Sequence, residues 1–117
     1  MIQQLDVQAL AQARIEAHSS LAGALLLDVR EPWEFELGRI DGSINVPMSA
    51  LVGRVDEVRR LQETAAQPKP IVVICHHGVR SMNCAQFLAG QGIDGLINLR
   101  GGIDAWSLGV DPTVPRY

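Results

Sequence analysis

Cys75, His76, His77, Gly78, Val79, Arg80 and Ser81 form one unbroken stretch, directly after the apolar run Ile71-Val72-Val73-Ile74. The run reads as a buried strand, which puts Cys75 at its end, where a parallel sheet opens its carboxyl edge to ligands. Gly78 permits a tight turn that delivers the chain into a helix. Backbone N–H groups in such a turn converge on one point, and the helix dipole adds positive potential there. A thiolate is favoured at that point. So is an anion bonded to the sulfur or approaching it. The stretch suits a nucleophilic cysteine acting on an anionic substrate. The plainer reading of Cys75 is a small apolar residue that ends a strand, since free cysteines are often buried and inert.

The neighbouring candidates are weaker. Cys84 falls on the apolar stripe of the following helix with Phe87 and Leu88, which makes it a structural residue. Either imidazole of His76 and His77 could donate to a substrate oxygen or shuttle a proton, and the alternative is a pair of solvated loop side chains. Three consecutive residues on a tight loop do not point at one ion, and His18 is remote and reads as a surface helix residue. Structural zinc wants four ligands at recognisable spacing, so no metal site is expected.

The elements that must position this stretch alternate short apolar runs with helical ones. Leu25-Leu26-Leu27-Asp28-Val29 and Ile71 to Ile74 are continuous apolar runs, as parallel strands buried on both faces require. Leu96-Ile97-Asn98-Leu99 and Ile44-Asn45-Val46 read as two more, and Ile2 to Leu5 as a short edge strand. Asp6 is placed to cap a helix in which Leu10, Ala13 and Ala17 share a face. Ser49 is placed to cap a second, with Leu51, Val55, Val58 and Leu61 at helical spacing, ending before Pro68 and Pro70. A third runs from about Arg80 to Gly90, and a short fourth holds Ile103 and Trp106. The Gly101-Gly102 pair serves a tight turn. The pattern predicts one α/β domain with a mostly parallel sheet, spanning residues 1–117 with its motifs within about 5–108.

Composition agrees and excludes several classes. The chain has 117 residues, 47% hydrophobic and 20% charged, which fits one packed domain and is too apolar for disorder. Its net charge of -3 leaves no footprint for nucleic acid or an anionic membrane. The longest apolar run, Leu21 to Leu27, is seven residues, against about 20 for a spanning helix. The first residues lack the basic and apolar stretches of a secretory signal. Two cysteines make no disulfide scaffold, and a reducing compartment suits free thiols, so the cytoplasm is the expected location.

Several blocks together resemble the rhodanese (sulfurtransferase) family. The Cys75 to Ser81 stretch is similar to its active-site loop, and Leu26-Leu27-Asp28-Val29-Arg30-Glu31 to its first signature strand. Gly38-Arg39-Ile40-Asp41-Gly42-Ser43-Ile44-Asn45-Val46-Pro47 resembles the second block, and Asn98 to Trp106 the closing one. One departure is Arg39, where the family usually has histidine. The resemblance implies a stand-alone domain with a five-stranded parallel sheet flanked by helices on both faces. It implies that Cys75 takes a sulfane sulfur as a persulfide and passes it to a thiol or cyanide, with no metal or organic cofactor. It further implies that the amides of His76, His77, Gly78, Val79, Arg80 and Ser81 cradle the added sulfur. Asp28 would be the buried carboxylate that ties down the active loop or a nearby arginine, with Arg30 beside it on the same edge.

Other readings compete. Some rhodanese-like proteins are phosphatases or arsenate reductases, and cysteine phosphatases read Cys-x5-Arg. Here four residues separate Cys75 from Arg80, a narrower cup that favours sulfur transfer. A non-catalytic binding module is the reading from another class, and fold alone cannot decide it. The expected partners are a small sulfur-containing anion or persulfide donor and a thiol or protein acceptor, with no nucleic acid, no membrane and a monomeric state. Arg80, aided by Arg30 and protonated histidine, is placed to attract thiosulfate, while Glu31, Glu34 and Glu36 would repel a dianion. Trp33 and Leu37 read as core residues, with a docking patch as the alternative.

Overall fold

The computed structural model of the chain describes residues 2–16, 21, 23–63 and 67–117. Five strands form one sheet: β1 (Gln3–Leu5), β2 (Leu25–Asp28), β3 (Ile44–Asn45), β4 (Ile71–Ile74) and β5 (Leu96–Leu99). Their order is β1-β5-β4-β2-β3 and every pairing is parallel. The helices are α1 (Val7–Ile15), α2 (Pro32–Leu37), α3 (Met48–Leu51), α4 (Val55–Gln62), α5 (Val79–Gly90) and α6 (Gly102–Gly109).

The continuous apolar runs are explained by cores on both faces. Ile71 and Val73 of β4 face one core with Leu25, Leu27, Leu51, Val58, Ala85 and Leu88. Val72 and Ile74 face the other, with Leu10, Ile40, Leu99, Ile103 and Trp106. All four β4 side chains are fully buried, and each stabilises the fold by about 1.5–3 kcal/mol.

The strand order determines where a site can form. From β2 the chain moves outward to β3, whereas from β4 it moves the other way to β5. The carboxyl ends of β2 and β4 therefore flank a topological switch point, where adjoining connections diverge and leave a crevice. Asp28 ends β2 and Cys75 directly follows β4 at this place.

Several helices differ from what the sequence predicted. The helix expected after Ser49 is broken into α3, a tight turn at 52–54 and α4. Ser49 does not cap it; its hydroxyl donates to the Glu31 carboxylate at 2.9 Å. Asp6 precedes α1, yet its side chain makes no cap bond and meets Arg100 at 3.1 Å instead. α1 ends at Ile15, and Ala17 and His18 lie outside the described residues. The short helix α2 was not anticipated, because six residues carry too little periodicity. Its local signal was nonetheless present: Pro32 suits a first helical position, and Glu34 bonds back to the Glu31 amide at 3.0 Å.

The start of α6 is pressed against the end of β4. The Ile103 amide donates to the Cys75 carbonyl at 2.8 Å and the Asp104 amide to the His76 carbonyl at 3.0 Å. Gly102 makes this approach possible: its φ is +60°, and a Cβ there would lie 2.3 Å from the Cys75 oxygen. Gly102→Ala is expected to cost at least about 1–3 kcal/mol from backbone strain. Gly90→Ala, at a helix position with open space around it, should be neutral or slightly stabilising. Urea unfolding of the two variants checks the contrast.

Candidate active site

Cys75 is 1% exposed, and its sulfur meets two groups, one on the loop and one in the first turn of α5. The Gly78 amide donates to Sγ at 3.0 Å. Gly78 reaches that position with φ +103°, and a Cβ there would crowd the Gly101 nitrogen at 3.2 Å. Ser81, in the first turn of α5, places its hydroxyl oxygen 3.2 Å from Sγ. It accepts from the thiol and passes its own hydrogen to Asn98 Oδ1. Asn98 in turn donates to the Gly78 carbonyl at 3.2 Å and to Gln4 at 2.9 Å. When the thiol ionises, the Ser81 hydroxyl can rotate to donate to sulfur, so the relay supplies a second donor to a thiolate.

Of the amides expected to cradle the sulfur, Gly78 is the backbone donor found on Sγ among the described residues. Val79 is exposed and begins α5.

Arg80 does not reach toward an open anion site. Its guanidinium grips Glu34 with bonds of 2.6 and 2.8 Å. Glu34, expected with Glu31 and Glu36 to repel a dianion, is buried and accepts from Arg80, the Glu31 amide and the Tyr117 hydroxyl, the last at 2.7 Å. The Arg80 hydrogen bonds hold the Glu34 carboxyl well below its usual range, at about 2, and Glu34 in turn holds the Arg80 charge firmly.

Asp28 and Arg30 form an ion pair at 2.8 Å with both side chains fully buried. Among the described residues the pair bonds α2, its end and Tyr117 rather than the side chains of residues 75–81. Arg30 bonds the Glu34 carbonyl at 3.1 Å, the Gly38 carbonyl at 2.6 Å and the Tyr117 hydroxyl at 3.1 Å. The pair thus holds α2 and the segment after α6, and these hold Arg80. Asn45 closes the arrangement, donating to the carbonyls of Asp28 and Arg30 at 3.0 and 2.9 Å.

The histidines are stacked. His76 lies between His77 and Tyr117, with ring centroids 3.9 Å apart on each side. Burial, with His77 second, pushes the His76 pKa down from its ordinary 6.5, so a protonated His76 does not assist an anion. Ligand atoms of His76, His77 and Asp104 lie within 4.8 Å of one another. The cluster offers three protein ligands, one short of the four that a closed structural zinc site takes.

Cys84 is buried on the inner face of α5, where burial raises its thiol to about 11 and makes it a poor nucleophile. Trp33 and Leu37 are not core residues: they are 60% and 46% exposed. Arg39, the departure in the second block, lies on the surface with its guanidinium 4.4 Å over the Phe35 ring. Tyr117, Glu34, Asn98 and Gln4 were missed as site residues. Of these, Asn98 had a signal, a polar residue inside an apolar strand.

The fold and site define a class: a single α/β domain that presents one cysteine, on a glycine-turned loop, at the switch point of a parallel sheet. Residues 8–108 match the Rhodanese-like domain, and the chain belongs to that family. It is 42% identical over 83 residues to the Uncharacterized protein YqhL of Bacillus subtilis, covering 71% of this chain and 60% of that protein. It is 36% identical over 81 residues to Thiosulfate sulfurtransferase GlpE of Shewanella oneidensis, covering 69% of this chain and 73% of the relative. The crystal structure of a rhodanese-related protein from Thermoplasma volcanium superposes with a TM-score of 0.69 at 31% identity, covering 92% of this chain and 93% of that one. No helix among the described residues is long and apolar enough to cross a membrane.

Two expectations follow from these pairs. Asp28→Ala would strand a buried guanidinium, at a cost of about 3–5 kcal/mol, read as a lower urea midpoint. The Glu34 carboxyl is lowered on folding, so it stabilises the native state above its ordinary 4.5 and loses that contribution as pH falls toward about 2. Unfolding midpoints measured across that window should decline in the wild type and flatten in Glu34→Gln.

Proposed function

We propose that the protein is a sulfurtransferase in which Cys75 accepts a sulfane sulfur as a persulfide and hands it to a thiol or cyanide. The observation that carries the proposal is the Gly78 amide aimed at Sγ from 3.0 Å, on a loop entering α5. A sulfur bonded to Cys75 meets the positive end of a 12-residue helix, which favours its anionic form. The thiosulfate sulfurtransferase relative supports the same chemistry for this chain.

The cycle needs only the residues at hand. The Cys75 thiolate attacks the outer sulfur of the donor, the donor's bond to that sulfur breaks, and its electron pair leaves with the remainder. The acceptor thiolate or cyanide then attacks the terminal sulfur and Cys75 returns as thiolate. Gly78, with Ser81 turned by its Asn98 partner, steadies the negative charge in both steps. His76, His77 and Val79 flank the cysteine along the chain, Glu34 holds Arg80 away from the sulfur, and Arg30, paired with Asp28, holds α2. No metal or organic cofactor takes part, and the working unit is a monomer.

A Cys-x5-Arg phosphatase chemistry fits less well, because it needs the arginine on the substrate anion and Arg80 is already bound to Glu34. A binding module without catalysis draws support from the exposed Trp33 and Leu37. Intact-mass measurement after incubation with a sulfane donor separates these readings. The wild type should gain one sulfur, Cys75→Ser none, and Cys84→Ser as much as the wild type. Thiocyanate formation should follow the same order. A wild type that takes up no sulfur returns the protein to the binding-module reading.

A further inference from the structure

The carboxyl edge of the sheet is rich in arginine yet offers little free positive charge. Arg30 is bound to Asp28, Arg80 to Glu34, Arg100 to Asp6 and Arg116 to Asp104. His76 is disfavoured as a cation, and His77 lies 4.0 Å from Asp104. Among the described residues Glu31 meets the Ser49 hydroxyl and no base, so these paired groups and Glu31 together carry one net negative charge. Among these arginines, Arg80 is the one in the first turn of α5, five residues after Cys75. Its partner is secured from several sides: Glu34 is 4% exposed, accepts the Tyr117 hydroxyl, and sits on α2, whose backbone Arg30 holds. Tyr117 also covers the loop by stacking on His76 at 3.9 Å.

We infer that Glu34 is a specificity-determining residue: by neutralising Arg80, with Tyr117 as its second partner, it turns the Cys75 site from dianionic donors toward hydropersulfides, R–S–SH. The inference rests on Cys75 being the sulfur carrier. The chemistry of the leaving group gives the reason. When the Cys75 thiolate attacks thiosulfate, a new S–S bond forms, the donor S–S bond breaks, and its electron pair departs with sulfite, a dianion. When it attacks the outer sulfur of R–S–SH, the same bonds form and break, and the pair departs with a single thiolate, leaving Cys75–S–SH. The first route brings two negative charges toward a cysteine whose nearest arginine, Arg80, is already paired. The second brings at most one.

The test compares donors on the full chain by the rate at which Cys75 gains one sulfur. The probes are thiosulfate and the hydropersulfide of mercaptoethanol. The wild type should load from the hydropersulfide with kcat/KM at least about tenfold above thiosulfate, the lower end of what local fields do to approach rates. Glu34→Gln uncovers Arg80 and should raise the thiosulfate-to-hydropersulfide ratio by about tenfold or more, acting mainly on the thiosulfate KM. Adding Arg80→Gln should cancel the gain, which a general loosening of the fold would not do. Tyr117→Phe removes one bond to Glu34, keeps the ring stack, and should shift the ratio in the same direction by a smaller factor.

The wild type alone supplies an independent check. Its thiosulfate loading should rise or hold steady as salt is added, because screening relieves repulsion from a net acidic edge. A steep fall with salt overturns the inference. So does a wild type that loads equally well from both donors, which leaves the sulfurtransferase reading standing. If neither donor loads Cys75, that reading fails and the inference falls with it. A third arm, a persulfide carried on a protein thiol, identifies the source: faster loading from it than from the small probe supports a protein donor, and the reverse supports a small thiol.

Discussion

A charged guanidinium with no water around it must find its partners inside the protein, and the Arg30 side chain is in that position. Its desolvation penalty is offset only if the geometry is good and the remaining donors are satisfied. Asp28 supplies the opposing charge, and the carbonyls of Glu34 and Gly38 with the Tyr117 hydroxyl take the other N–H groups. These partners come from β2, from α2 and its end, and from the last residue of the chain. Satisfying one buried cation therefore fixes how three separate segments meet at the switch point. Glu34 and Tyr117, which shape the neighbourhood of the cysteine, are held in place by this requirement.

The cysteine depends on a second set of constraints that are mostly backbone. α6 begins close enough to donate its first amides to the Cys75 and His76 carbonyls, and Gly102 is the residue that allows it. With those carbonyls fixed, the loop has little freedom except to turn at Gly78 and present its amide to sulfur. The Ser81–Asn98–Gln4 relay then ties the loop to β5 and β1 across the sheet. Rigid elements on several sides hold the donors in place before any substrate arrives, which is what electrostatic stabilisation of a developing charge requires.

Two cysteines on the same short segment have opposite characters for reasons of position. Cys75 stands where a strand ends, beside an amide and a hydroxyl. Cys84 stands in the second turn of α5 among apolar side chains, where ionisation is opposed by burial. The same residue type becomes a sulfur carrier in the proposed chemistry or a packing group according to whether the charged form has partners.

Much of this was legible in the residues. Continuous apolar runs at Leu25 to Leu27 and Ile71 to Ile74 announced strands buried on both faces, and Gly78 and Gly101-Gly102 marked the turns. Cys75 was identifiable because its neighbours in sequence are also its neighbours in space. Glu34, Tyr117 and Asn98 acquired their roles differently. Glu34 meets Arg80 46 residues away, and Tyr117 meets Arg30 87 residues away. No periodicity or spacing encodes such pairs, because they arise only when the strand order brings β2, β4 and the last segment to one edge. Trp33 shows the same limit from the other side: an aromatic residue beside an apolar strand reads as core, yet the short helix α2 turns it to the surface. Local sequence determined the strands, the turns and the placing of Cys75 on its loop, since these depend on interactions within a few residues. Which charges are paired was decided by the tertiary fold, since a salt bridge between distant residues exists only once the sheet has assembled.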